Sequence, residues 1–264
     1  IESALVGSAE VGLGGAGVGE TVMRHARIPV VTYSSEWSFD MLRDAALVTL
    51  ELLQKCLEKD LIIKDATAFN VTFRDGRMQF FDTLSIDDYT PGAPWDGYAQ
   101  FCREFLFPLM LTSYRGIEFQ PWVRGSLLGI PVRTFARFLG PREKLRFPVI
   151  KHVVLQAKLD RGFAHTDSEV RSSFKTMNFS KSMIAANVTG LLGTIRKLNY
   201  EAGDSVWGDY ADSHSYSAED ETTKRQFVDQ AVTQLSPSTV VDLGGNIGEY
   251  SFLAASKVDR VLCV

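Results

Sequence analysis

Long apolar runs are missing from this chain of 264 residues: none approaches the roughly 18 residues that a membrane span needs. That argues against membrane insertion. Cysteine is scarce and odd in number, and Cys56, Cys102 and Cys263 lie far apart, which excludes a disulfide framework or a zinc site. The four histidines, His25, His152, His165 and His214, have no partner at metal-ligand spacing, so no metal site is expected. No lysine precedes Lys55. No charged start followed by an apolar middle and a small-residue cleavage site marks a secretory leader, and the expected location is cytoplasmic. The formal net charge of −4 advertises no nucleic-acid surface, and nucleic acid is not an expected partner. No Ser/His/Asp or Cys/His arrangement can be argued from spacing.

What the chain does have is core-forming material. It is 45% hydrophobic and 23% charged, which excludes wholesale disorder. Leu42, Ala46, Leu50, Leu53 and Leu57 recur at spacings of four and three, so a helix capped by Ser35 or Ser38 is predicted to run to about Lys59. Short β-type runs follow at 61–63, 69–73 and 78–81, the last two joined by the hairpin signal Asp75-Gly76. Pro94 suits a helix start, with Tyr98, Cys102, Phe105 and Leu109 on one face. Further helical pieces are predicted over 121–139, 149–160 and 180–199, with a polar linker over 161–178 and a loop over 202–217. The basic stretch 133–146 reads mainly as a solvated face, with an anionic acceptor or partner as the alternative. Trp95, Trp122, Tyr98 and Phe101 read as core packing rather than an aromatic pocket.

Two glycine-rich stretches need separating. Gly12-x-Gly14-x-x-Gly17 follows a small, polar segment rather than a strand, so it reads as a loop. The second stretch differs. A helix from about Ala218, carrying Phe227, Ala231 and Leu235 and ended by Pro237, precedes the β-rich run 239–243. Then come Gly244-Gly245-Asn246-Ile247-Gly248, an apolar helix through Ala255, and a new strand at 261–264. This β–Gly loop–α–β order opens a doubly wound sheet. Such glycines let a ligand approach the backbone, where the next helix offers free N–H groups. The chain opens at Ile1 and stops at Val264 inside an apolar run, which predicts a piece of a longer protein.

The spelling Asp242-x-Gly244-x-x-x-Gly248, with an acid at the end of the strand, resembles the first motif of class I S-adenosylmethionine-dependent methyltransferases. The resemblance implies that Asp242, Gly244, Asn246 and Gly248 line a cofactor site. Trp207, Tyr210, His214, Tyr216 and Lys224 resemble the segment ahead of that loop in a bacterial subgroup. Tyr216 and Lys224 are accordingly candidates for cofactor contact, or else packing and surface residues. The family's next motif, an acid ending the second strand, is not reached by Val264, and this piece alone is expected to bind cofactor weakly or not at all.

In the middle of the chain, Asp65 with Asn70 five residues later, then Asp82 after a hairpin, resembles the catalytic loop and metal-binding acid of protein-kinase-like phosphotransferases. That resemblance makes Asp65 a base and Asn70 and Asp82 magnesium ligands. Lys64 stands where the usual histidine should be sought, and the lysine-free start offers no phosphate-pairing lysine. A degenerate kinase-like scaffold, or turn and cap residues around a hairpin, is the competing account.

Taken in order, Ile28-Pro29, Glu36-Trp37-Ser38-Phe39, Lys64-Asp65-Ala66 with Asn70, Phe81-Asp82, Pro94-Trp95 and Arg124-Gly125-Ser126-Leu127 resemble a bacterial family of nodulation-type methyltransferases. That family joins a kinase-like N-terminal region to a class I methyltransferase domain. The expected fold is α/β: a flexible segment over 1–24, then a largely helical kinase-like region with a β-hairpin over 25–160. A linker and helix occupy 161–200, and the incomplete Rossmann-type methyltransferase domain occupies 201–264. The implied activity is methyl transfer from S-adenosylmethionine to an unknown acceptor, with no catalytic base nameable. The alternatives are a phosphotransferase or Mg-ATP module using Asp65, Asn70 and Asp82, and a non-catalytic interaction scaffold.

Overall fold

A computed structural model describes residues 3–6, 22–157, 179–201, 203 and 217–264. The chain divides into two compact units, Ile1–Tyr200 and Glu201–Val264.

In the first unit, β1 (Ser3–Val6) pairs antiparallel with β2 (Val22–His25), an element the pattern-poor opening does not announce. Helix α1 (Phe39–Glu58) starts where Ser38 accepts the Met41 N–H, satisfying one of the donors a helix start leaves open. Its predicted stripe of Leu42, Ala46, Leu50, Leu53 and Leu57 is buried. Asp60, at φ 58°, reverses the chain into β3 (Leu61–Ile63). The hairpin β4 (Val71–Arg74)–β5 (Arg77–Phe80) turns through Asp75 and Gly76, at φ 52° and 76°, as its turn residues predict. Strand β6 (Ile86–Asp88) then returns antiparallel to β3.

The following helix departs from expectation. It starts not at Pro94 but at Tyr98, because Trp95 is buried and its indole N–H is tied to the Ile63 carbonyl (2.8 Å), which holds the chain in a turn first. α2 (Tyr98–Phe101) passes through a π-helical turn (Cys102–Leu106) into α3 (Phe107–Arg115). From Glu104 to Thr112 it is buried on all sides rather than on one face, as a helix enclosed by the core must be. In the π turn the Phe107 N–H reaches back to Cys102. The Arg103 carbonyl is left to accept the Ile130 N–H at 2.9 Å. Gly129, at φ 69°, permits that approach: a Cβ there would stand 2.3 Å from the Arg103 oxygen.

The helical stretch expected over 121–139 consists of two helices, α4 (Gln120–Gly125) and α5 (Val132–Phe138), separated at Gly129 and Pro131. α6 (Pro141–Lys144) and α7 (Phe147–Val149) follow, the latter running into a second π turn, Ile150–Val154. α8 (Lys181–Ile195), capped by Ser180, packs along α1, where Arg196 meets Glu51 at 2.9 Å and Gln54 meets Thr189. The core gathers around α1, α2–α3 and α8.

The second unit contains α9 (Ala218–Leu235), β7 (Thr239–Asp242), α10 (Glu249–Ala255) and β8 (Arg260–Cys263). α9 opens with a reciprocal Ser217–Asp220 cap and ends at Ser236, φ 42°, before Pro237. Its expected face is corrected: Phe227 and Leu235 are exposed and Val232 is buried instead. β7 and β8 are parallel neighbours joined through α10, a β–α–β crossover.

The 7–21 glycine stretch and the 161–178 linker lie outside the described residues, as does nearly all of the predicted 202–217 loop. Among the described residues no helix is long and apolar enough to cross a membrane.

Candidate functional site

In the second unit the predicted motif residues converge on the C-terminal end of β7. Asp242 is that strand's last residue, and its partner across the ladder is Cys263 of β8. The loop that follows places Gly244, Asn246 and Gly248 at φ 71°, 48° and 83°, three left-handed positions that suit glycine and tolerate asparagine. Gly244 N–H donates to the Val264 carbonyl (2.8 Å), and Gly248 N–H to the Gly245 carbonyl (2.7 Å), so the loop curls tightly before α10. The side of the loop at Gly245 is closed: a Cβ there would meet Cys263 Sγ at 2.5 Å and Asp242 Oδ2 at 2.8 Å. At Gly244 it would meet nothing within 4 Å, so that side is open.

Ser251, in the first turn of α10, donates its hydroxyl to Asp242 Oδ2 at 2.7 Å and fixes the carboxylate. Sequence reasoning assigned Ser251 no role, although a hydroxyl one turn into the helix after a glycine loop is a usable signal. Lys224, on α9, holds its ammonium over the Tyr250 ring at 5.0 Å. The Arg225 guanidinium pairs with Glu249, and Lys257 with Asp229 (2.5 Å), which ties α9 to α10 and to the turn after it. Tyr216, with Trp207, Tyr210 and His214, lies outside the described residues.

The first unit brings Asp65, Asn70 and Asp82 into one hydrogen-bonded cluster. The buried Asn70 amide donates to the Asp65 backbone carbonyl (2.9 Å) and to Ser85 Oγ (2.8 Å). Ser85 in turn donates to Asp82 Oδ2 (2.5 Å), and Asp82 Oδ1 accepts the Leu84 N–H, capping the short turn Thr83–Ser85. Asp65 Oδ1 is buried with no hydrogen-bond partner. Lys64 points elsewhere, to Asp87 on β6 at 3.0 Å, and it holds that exposed carboxyl below the usual range.

Glu104, in the π turn, anchors the Asp65 loop from beneath: one carboxylate oxygen accepts both the Thr67 hydroxyl (2.7 Å) and the Ala68 N–H (2.9 Å). Burial pushes its pKa up, and the Asp65 charge adds to the rise. The bonds from Thr67 and Ala68, with the Arg103 charge, oppose it. An acid inside an otherwise apolar helix was the available signal for this residue, and the motif reading passed over it.

The remaining candidates are structural. His152 is buried against Tyr98, with Nδ1 2.7 Å from the phenol oxygen, and burial lowers its pKa to about 4. Burial likewise pushes the Cys102 thiol up to about 12, far from a reactive thiolate. His25 meets Ser3 in the β1–β2 pair, and His165 lies outside the described residues. Trp95 and Phe101 are core residues, whereas Trp122 sits apart, edge-on to Phe138. A groove of about 580 Å³ between α1 and β5 is lined by Glu51, Lys55, Arg77 and Met78 among others, and by none of the predicted site residues. Among the described residues no group of three or more His, Cys, Asp or Glu side chains is arranged to hold a metal ion.

No family model matches the chain, and no solved structure matches it. The chain is similar to the nodulation protein NoeA of Rhizobium meliloti (strain 1021), with 36% identity over 234 residues. The match takes in 88% of this chain and 49% of that protein, so the chain spans about half the length of the curated relative it matches. The structure itself mixes helices and short strands.

Proposed function

We propose that the second unit is the cofactor-binding start of a class I methyltransferase, and that the whole protein transfers a methyl group from S-adenosylmethionine to an acceptor. The observation that carries this reading is Asp242, at the C-terminal end of β7 in a parallel β–α–β unit, beside a loop with left-handed Gly244, Asn246 and Gly248. Ligands of open α/β sheets bind at that end of the strands. The residues fit such a cofactor. The Gly244 side of the loop is open, and Ser251 steadies Asp242 through Oδ2, which leaves Oδ1 for an ammonium or hydroxyl donor. Lys224 and Tyr216 enter the reading by resemblance alone; the Lys224–Tyr250 contact orders the helix that follows the loop. When bound, the cofactor supplies a methyl group already activated by its sulfonium. The chain's own residues then have binding and orientation to perform, since in-line positioning is most of such catalysis. The likeness to NoeA supports a nodulation-type role for the whole protein.

A second reading is favoured by the Asp65–Asn70–Ser85–Asp82 cluster. Its unpartnered Asp65 oxygen, and the Asp82 carboxylate held through Ser85 and Asn70 to the Asp65 backbone, suit a magnesium–nucleotide site of the kinase type. The lysine-free sequence before Lys55 weighs against full phosphotransfer.

One calorimetric experiment separates the two. S-adenosylhomocysteine is titrated into the protein as its gene encodes it, including any sequence after Val264, with Asp242→Ala alongside. Binding that weakens roughly tenfold or more in the variant is expected, as for loss of a charge-assisted hydrogen bond. A folded protein that binds no S-adenosylhomocysteine, yet binds Mg-ATP in a manner abolished by Asp82→Ala, overturns the methyltransferase reading in favour of the second.

A further inference from the structure

The stretch from Gln120 to Lys151 runs against the rest of the chain in charge. It holds seven Lys and Arg and a single acid, Glu143, in a protein whose net charge is −4. Glu143 is itself paired with Arg115, at 3.5 Å, so it does little to offset the cations around it. Within the same stretch, large apolar side chains stand in solvent at two chain reversals. Leu127 and Leu128, between α4 and α5, are 72% and 66% exposed, and Leu145, just after α6, and Phe147, the first residue of α7, are 78% and 75% exposed.

The fold sets these two tips at the two ends of α5. Ile130, just after the first tip, is bonded to the Arg103 carbonyl at the start of the π turn. Beyond α5, Glu143 reaches Arg115 and the Arg146 guanidinium lies 4.5 Å from the centre of the Tyr114 ring, both at the far end of α3. α5 itself is anchored by Val132 and by Phe135, which stacks on Phe107 at 4.9 Å. Its arginines, Arg133 and Arg137, are i,i+4 neighbours on the outer side and both are exposed. Seven helical residues span about 10 Å, so the two apolar tips flank a short arginine-bearing segment.

We infer that this face is a docking surface for an anionic phospholipid bilayer. Interfacial binding of this kind draws on apolar side chains seated at the headgroup boundary, together with electrostatic attraction to acidic lipids. Both occur within the one stretch 120–151. The apolar groups are side chains standing out in solvent beside short helices rather than walls of a groove, which suits a fluid surface better than a single peptide. Four of the six exposed apolar residues in the stretch, Leu127, Leu128, Leu145 and Ile150, are aliphatic and offer no ring on which nucleic-acid bases could stack. A net negative chain is not drawn to acidic lipid at random, so attachment through this basic face sets one orientation. Nothing in it spans the bilayer, in keeping with the absence of a membrane-crossing helix among the described residues.

The test is co-sedimentation of the full chain with vesicles of phosphatidylcholine, alone or mixed with phosphatidylserine, at low and raised salt. Binding is expected to the phosphatidylserine vesicles only, and to weaken with salt. The double variant Arg137→Glu/Arg142→Glu is expected to lower partitioning roughly tenfold or more. Leu127→Ser/Leu128→Ser is expected to lower it several-fold, with both variants keeping the wild-type circular dichroism spectrum. Equal binding to both vesicle types, no binding to either, or wild-type binding by both folded variants overturns the inference. Capture by immobilised polyglutamate without vesicle binding also overturns it, and assigns the face to an acidic protein partner.

Discussion

The two units are built from the same kinds of local signal and end up with very different interiors. Residues of α1, α2–α3 and α8 bury a continuous core in which Trp37, Phe101, Phe105, Phe107 and Leu50 are almost wholly removed from water. Among the described residues of the second unit Val232, Ser251 and Ala254 are the buried side chains, while Leu243, Ile247 and Phe252 stand exposed. Yet its caps, crossover and left-handed glycines are as regular as anything in the first unit. Local geometry therefore does not require a core. Turn chemistry and hydrogen bonding define the Asp242 loop, whereas close packing defines the Asp65 cluster and its Glu104 anchor. A parallel sheet is ordinarily covered on both faces, and two strands alone bury little.

The widest gap between the units is predicted for apolar truncation. Leu50→Ala is expected to cost about 2–5 kcal/mol in urea denaturation, because it opens a cavity in a fully enclosed site. Phe252→Ala, at an exposed position of α10, is expected to change stability by no more than about 0.5 kcal/mol. Equal losses would show that the second unit is cored after all.

Glycine replacement gives a finer contrast at matched backbone angles. Gly129 and Gly244 share φ near 70°, so alanine at either strains the backbone by roughly 1–2 kcal/mol. Only at Gly129 does the added carbon also collide with a backbone oxygen, at 2.3 Å. Gly129→Ala is thus expected to lower the thermal midpoint well beyond Gly244→Ala; comparable shifts would mean that the Arg103–Ile130 contact yields easily.

A third contrast is a pH slope carried by His152 in the first unit. His152 is buried with a pKa lowered from 6.5 to about 4, so the unfolded chain takes up its proton first as pH falls. Stability is therefore lost below about pH 6.5 and levels off near pH 4. From pH 7 to pH 5 this group alone removes roughly 2 kcal/mol, and His152→Gln is expected to flatten that part of the urea-midpoint profile. An unchanged slope would place the titration elsewhere.

Several features were legible before any coordinates. The spacing of apolar residues located α1 and its buried stripe, Ser38 begins that helix, and Asp75-Gly76 turns the hairpin. The order of elements around Asp242 was equally readable, because strand, glycine loop and helix each carry a short-range signal. What escaped the sequence was long-range. Trp95 delays a helix by reaching Ile63, and the π turn at Cys102 frees a carbonyl for Ile130. Helix α9 turns Phe227 outward, because which stripe is buried depends on what α9 packs against.

The sequence by itself determined the local elements and the positions at which chain geometry needs a glycine, a cap or a turn residue, since those depend on a few neighbouring dihedral angles and hydrogen bonds. Only the tertiary structure decided which polar groups meet: Ser251 with Asp242, Ser85 with Asn70 and Asp82, Glu104 with Thr67 and Ala68. Those pairings span from 3 to 37 positions along the chain. They are chosen by burial, because a polar group taken out of water must find a partner wherever the packed core brings one.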